Sequence, residues 1–147
     1  NGALTIGTLD GANVEIRDHV GEDNIFIFGL TAAEVNDRRR SGFDTRAVIA
    51  AAPGLQGVYD KLMTGIFSRD DQARYRPIGD SLTNGDWFMV ASDFASYETT
   101  QRAADELWRH PAGWTEKAIL NTVNMGWFSS DRAVREYARD IWKVPAA

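Results

Sequence analysis

Asn1-Gly2-Ala3-Leu4-Thr5-Ile6-Gly7-Thr8-Leu9-Asp10-Gly11-Ala12-Asn13-Val14-Glu15-Ile16, with Asn24-Ile25-Phe26-Ile27-Phe28-Gly29 a few residues on, decides the fold. Ala3 to Leu9 is apolar and rich in β-branched residues, and Asp10-Gly11 supplies a turn. Ala12, Val14, Ile16 and Val20 form a weak helical stripe stopped by Gly21. Ile25 to Phe28 is an unbroken apolar run without polar alternation, the signature of a strand buried on both faces. Strand, turn, helix and strand in that order predict a parallel sheet covered by helices.

Outward from this core the punctuation is helical. Asn1-Gly2 reads as a helix end, with Gly2 at the left-handed position. Thr31-Ala32-Ala33-Glu34 is a capping box, predicting a helix from Ala32 to about Arg40, so that Arg38-Arg39-Arg40 lies at a C-terminus that favours cations. That solvated helix end is preferred to a phosphate-binding patch. Asp44 is placed to cap a helix from Thr45 to Ala52, and Pro53-Gly54 breaks it. Leu55, Val58, Tyr59, Leu62, Met63 and Ile66 recur at three- and four-residue steps and predict a further helix with one buried face.

Ser68 to Gly85 reads as a loop-rich passage, and Trp87-Phe88-Met89-Val90 as one more buried strand. Asp93 is the expected cap of a helix through about Arg109, packed through Phe94, Tyr97, Ala104, Leu107 and Trp108. Pro111 suits the first turn of the next helix, whose inward positions would be Trp114, Ala118, Ile119 and Val123, with an end at Gly126. After Ser129-Ser130, the positions Val134, Tyr137, Ala138, Ile141 and Trp142 give an apolar face three turns long, closed by Pro145.

Composition narrows the classes of function. A chain of 147 residues is one domain by default and can bury about 68–70% of its unfolded surface. With 44% hydrophobic and 25% charged residues it resembles ordinary soluble proteins. The absence of cysteine excludes disulfides, thiolate nucleophiles and Cys-ligated zinc, and His19 and His110 are too far apart in sequence to suggest a histidine metal site. A net charge of −5 argues against nonspecific nucleic-acid binding, which relies on neutralising many phosphates. No apolar run is long enough to span a bilayer, and the simplest location is the cytoplasm.

Chemistry is harder to find. Gly2, Gly7 and Gly11 do not reproduce the G-x-G-x-x-G spacing, and Gly7, inside a strand, is better read as allowing a close neighbour. Asp10 and Asn13 flank the turn at the C-terminal edge of a strand, where α/β proteins bind ligands. Turn formation and helix capping are the preferred account of them. Asp18-His19 are helix neighbours that do not face each other, so His19 reads as an exposed helix-end residue. Ser129-Ser130-Asp131 reads as a helix cap rather than a nucleophile, and His110-Pro111 as a boundary between helices. Trp108, Trp114 and Trp142 sit at helical spacing and suggest core packing, whereas Trp127, in a loop, is left open as a ligand contact. No acid, base and nucleophile can be assembled, so the sequence offers no catalytic, cofactor-binding or metal residue.

The quoted N-terminal strings resemble the C-terminal catalytic domain of the glycogen and maltodextrin phosphorylases, of bacterial type. Trp114-Thr115-Glu116-Lys117-Ala118-Ile119-Leu120-Asn121-Thr122, Phe128-Ser129-Ser130-Asp131-Arg132, Glu136-Tyr137-Ala138-Arg139 and Ile141-Trp142 resemble that family's closing segments in the same order. Between Ser68 and Gly85 only composition matches. The resemblance implies the C-terminal part of a Rossmann-like, doubly wound α/β domain of GT-B type with a helical tail. Residues 1–92 would form its α/β portion and 93–147 its closing helices. It implies glucosyl transfer from an α-1,4-glucan to orthophosphate, giving glucose 1-phosphate. Pyridoxal phosphate would relay the proton through its own phosphate group, held by a lysine of a Gly-Thr-Gly-Asn-Met-Lys segment that precedes Asn1 in the family.

On that reading the chain is the downstream remainder of a longer enzyme, inactive by itself. Its partners would be the glucan, orthophosphate, the missing N-terminal domain and a second copy of the parent, within a family that includes allosteric enzymes. The expected fate of the Val134–Trp142 face is docking onto protein outside this chain. Two rivals are a segment of a nucleotide-sugar-dependent glucan synthase on the same architecture and a non-enzymatic α/β interaction module.

Overall fold

The computed structural model describes residues 2–144, so the readings of Asn1 and Pro145 lie outside the described residues. Gly2 does adopt a left-handed φ of +73°. Strands β1 (Ile6–Thr8) and β2 (Phe26–Phe28) form a two-stranded parallel sheet, with helix α1 (Ala12–Val20) between them in sequence. The remainder is helical. Both strands are shorter than their apolar runs and only half-buried, although Ile25, just before β2, is buried. A strand with a single neighbour has one unpaired edge, and pairing this narrow does not extend far.

The described residues fall into two compact units. The first comprises residues 2–7, 11–26 and 104–144. It holds α1, a 3₁₀ turn at Glu22–Asn24, helix α7 (Pro111–Asn124), a second 3₁₀ turn at Met125–Phe128, helix α8 (Ser130–Glu136) and a π-helical turn at Tyr137–Trp142. Pro111 opens α7 as its position predicts. Buried Asn121 ties α7 to the Glu22–Asn24 turn: its Nδ2 donates to the Asn24 carbonyl at 2.8 Å and to the Lys117 carbonyl at 3.0 Å. Lys117 donates to the Asp23 carbonyl.

The C-terminal stripe is corrected in two respects. The π turn takes up an additional residue per turn and interrupts the 3.6-residue register on which the stripe was read. Ser129 makes no side-chain cap bond. Of the stripe, Ala138 is buried, whereas Val134, Tyr137, Ile141 and Trp142 are exposed. Core packing likewise fails for Trp108 and Trp142, both exposed; Trp108 instead meets half-buried Trp114 edge to face, centroids 4.8 Å apart. In α7, the expected inward residues Ile119 and Val123 are exposed.

The second unit comprises residues 8–10 and 27–103. Helix α2 (Ala32–Ser41) begins at the Thr31–Glu34 capping box, with both reciprocal bonds formed. Helix α3 (Thr45–Ala51) is capped by the Asp44 carboxylate, which accepts from the Arg46 and Ala47 amides, and Pro53 starts helix α4 (Pro53–Thr64). The core is Ile49, Leu55 and Ala91, packed with Val48, Ala52, Tyr59, Leu82 and Phe94. Of the α4 stripe, Leu55 is buried while Val58 and Ile66 are exposed.

Three sequence readings are overturned in this unit. The passage from Ser68 to Gly85 contains helix α5 (Arg76–Thr83), started by Pro77 and seated where Gly79 meets Met63 and Tyr59. Trp87–Val90 is no buried strand: Trp87 and Phe88 project into solvent, and Val90 begins helix α6 (Val90–Trp108). Asp93 does not cap α6. That role falls to Asp86, whose Oδ2 accepts from the Ala91 and Ser92 amides at 3.0 and 3.1 Å, because the helix starts one turn earlier than its apolar spacing suggests.

Candidate functional site

Ligands of parallel α/β proteins bind at the carboxyl ends of the strands, where loop amides point outward, so the two strand ends are the places to look. At the end of β1, Asp10 is exposed and used locally: its amide donates to the Thr8 carbonyl at 2.9 Å and its Oδ1 accepts from Thr8 Oγ1 at 3.1 Å. It is a turn residue here. Asn13 does not cap α1, whose N-cap is Gly11 with no side-chain bond. Its carboxamide lies against Gly7, where any β-carbon would overlap it. Gly7 thus has the packing role expected of it, but toward a side chain rather than a backbone.

The end of β2 is more elaborate, and little in the sequence signals it. Gly29 has φ +80°, and its amide donates to Ser96 Oγ at 3.0 Å; the Leu30 amide donates to Asp93 Oδ1 at 2.9 Å. Two residues of α6, spaced so that they lie on one face, therefore consume the amides that an anionic ligand would need. Asp93 is almost fully buried. Burial raises its carboxyl above the ordinary 3.8, opposed by the Leu30 hydrogen bond, and the Asp86 charge adds to the rise. A β-carbon at residue 29 would stand 2.6 Å from Asp93 Oδ2, so both backbone conformation and contact demand glycine.

Beside this latch lies a cleft of about 350 Å³. Phe28, Phe88, Val90, Phe94 and Tyr97 form its wall, and Thr8 and Asp93 also border it. Phe28 and Tyr97 meet edge to face with centroids 5.2 Å apart. The lining is overwhelmingly carbon. The signal available in the sequence was the Asp93-x-x-Ser96 spacing on a helix, together with a glycine directly after a strand.

In the first unit, Trp127 is the centre of a second cluster. His19 stacks on it with centroids 4.6 Å apart, and Phe128 meets His19 edge to face at 6.4 Å. The Arg132 guanidinium lies 3.7 Å from the Trp127 ring centroid, with its Nε donating to the Trp127 carbonyl. Trp127 Nε1 donates to Glu15 at 3.4 Å. His19 is therefore half-buried and stacked, not an exposed helix-end residue. The ring faces that would stack on a sugar are partly occupied by protein.

The Arg38–Arg40 run behaves as a helix end: Arg38 lies over Phe43, Arg39 over Trp87, and Arg40 pairs with Asp37. His110 precedes α7 and contacts Glu106 at 3.3 Å. Among the described residues no group of three or more His, Cys, Asp or Glu could hold a metal ion, and no helix is long and apolar enough to cross a membrane. The site residues considered from sequence are not brought together into a reactive set.

Comparison with known proteins carries the functional information. Residues 1–144 match the family model described as carbohydrate phosphorylase. A glycogen phosphorylase of Haemophilus influenzae is 49% identical over 144 residues, covering 98% of this chain and 18% of that relative. One from Synechocystis is 46% identical over 144 residues, covering 98% of this chain and 17% of the relative. The human brain form of glycogen phosphorylase is 42% identical, again over 98% of this chain and 17% of its own length. The chain therefore spans less than a fifth of the relatives it matches.

Proposed function

We infer, since the chain belongs to the carbohydrate phosphorylase family, that it is a segment of an α-glucan phosphorylase of bacterial type. The complete polypeptide would transfer a glucosyl unit from the end of an α-1,4-glucan to orthophosphate and release glucose 1-phosphate. The observation that carries this is the extent of the likeness: 49% identity runs across 98% of the chain. The β1–α1–β2 unit is compatible with one edge of a Rossmann-like, GT-B type domain, with residues 1–92 as its α/β portion and 93–147 as its closing helices. A homodimeric parent in the cytoplasm is part of the same reading.

No pyridoxal phosphate anchor is proposed among the residues of this chain. Its lysines are Lys61, Lys117 and Lys143; Lys117 is held on the Asp23 carbonyl, and the amides at the end of β2 are taken by Asp93 and Ser96. The family resemblance alone is our ground for placing the cofactor anchor in the parent, upstream of Asn1. What this chain would contribute is scaffold. The exposure of Val134, Tyr137, Ile141 and Trp142 supports docking of the closing segment onto protein outside residues 1–147.

The test is to express the complete reading frame and, separately, residues 1–147. The complete polypeptide is expected to show a pyridoxal Schiff-base absorbance and phosphate-dependent release of glucose 1-phosphate from glycogen or a malto-oligosaccharide; the shorter chain is expected to show neither. Consumption of UDP- or ADP-glucose without dependence on phosphate would favour the glucan synthase, and turnover by residues 1–147 alone would overturn the segment reading.

A further inference from the structure

We propose that the Gly85–Val90 turn is a pre-formed docking element. The cleft beside it receives an apolar side chain from the part of the parent polypeptide outside residues 1–147, and this rests on the segment reading above. The turn combines strain with display. Gly85, Asp86 and Met89 all have positive φ, at +151°, +36° and +57°. Left-handed conformations in residues with side chains persist only where the surroundings impose them, and they gather at clamps and functional loops.

Here the surroundings do impose them. Asp86 and Met89 are each 2% exposed, and the Met89 amide donates to the Asp86 carbonyl at 2.8 Å. Asp86 Oδ2 is bound by the first turn of α6. From the other side, Arg39 places its guanidinium 4.1 Å from the Trp87 ring centroid and donates from Nη2 to the Trp87 carbonyl at 2.6 Å.

Between those two buried anchors, Trp87 is 65% and Phe88 82% exposed. A strained turn that fixes two large apolar side chains in water is unfavourable unless something covers them. Rigid aromatic residues beside an arginine are also the residue types that dominate protein interfaces. Phe88 and Val90 continue into the cleft with Phe28, Phe94 and Tyr97.

The chemistry of the cleft selects its occupant. A glucan presents hydroxyls that need partners, and the one carboxylate at hand is buried with an oxygen already taken by the Leu30 amide. A carbon-lined cavity of about 350 Å³ suits an aliphatic or aromatic side chain instead. The relatives carry more than four-fifths of their length outside the matched region, which supplies candidate covering protein.

The experiment places p-azidophenylalanine at position 88 of the complete polypeptide, and separately uses Phe88→Cys for labelling with a maleimide. Because Phe88 is at the exposed tip, neither change disturbs the buried anchors. Labelling is expected to be at least tenfold slower in the folded complete polypeptide than in the same polypeptide unfolded in guanidinium, and photolysis of a mixture of ordinary and ¹⁵N-labelled protein should join position 88 to a peptide outside residues 1–147 of the same molecule. Protection below tenfold, a cross-link within residues 1–147, or a mixed-isotope cross-link to a second copy would each overturn the proposal. Phosphorolysis is measured separately, so an active but unprotected parent sinks this inference alone, and a protected but inactive one sinks only the enzymatic reading.

Discussion

Helices α4 and α7 both carry an apolar stripe at helical spacing, yet only α4 places a residue of its stripe in a hydrophobic core. In α4, Leu55 packs with Ile49 of α3 and Ala91 of α6 in a small core where Ile49 is 2% and Leu55 5% exposed. In α7, Ile119 is 57% and Val123 72% exposed, although Asn121 on the same helix is buried and donates two hydrogen bonds through its Nδ2. The pattern on a helix declares that a face seeks cover. It does not say whether the covering residues are in the same chain.

The contrast between the two helices fails first if Ile49 is not a true core residue. Ile49→Ala should cost about 3 kcal/mol in denaturant unfolding of residues 1–147, from lost transfer energy and a residual cavity. Val123→Ala should stay within about 0.5 kcal/mol, as for other exposed substitutions. Equal costs would show that α7 is as closed as α4. Gly29→Ala comes next, at about 2 kcal/mol, since alanine must hold φ +80° and displace Asp93 from its contact with residue 29. A neutral result would remove the latch at the end of β2.

Smaller effects probe the closed unit in more detail. Thr31→Ala should cost about 1 kcal/mol through loss of the capping box. The least effect is a slope with pH. The Asp93 carboxyl is raised in the folded state, so folding binds its proton more tightly than the unfolded chain does, and stability is lost as pH rises from below 3.8 through the raised folded value. Asp93→Asn keeps an acceptor for the Leu30 amide and removes that loss. The stability of the variant relative to the wild type should therefore increase across that window and then level off; a constant or falling difference would mean the burial of Asp93 is not what governs its proton.

What was legible in the sequence was local. The Thr31 box, the Asp44 cap, Pro53 and Pro111 at helix starts, and the Ala12–Val20 helix follow from bonds or dihedrals set within a few residues. What was not legible depended on distant partners. Trp87–Val90 has the composition of a buried strand, but Asp86 and Arg39 bend it into an exposed turn. Helix α5 hid in a charged passage because its seat is the Met63–Tyr59 contact at Gly79. Of the strand-end site, Asp10 and Asn13 serve the turn and the packing of Gly7, while Asp93 reads in sequence as a helix cap and Ser96 carries no signal, because their targets lie more than sixty residues away.

On the segment reading, the apolar faces left uncovered in this chain are covered by protein outside residues 1–147. Sedimentation velocity of residues 1–147 over a concentration series, with a hydrophobic dye present, puts that statement at risk in a single experiment. Reversible association that increases with concentration, together with strong dye fluorescence, is the expected result. A monomer at every concentration that binds no dye and melts cooperatively would refute it.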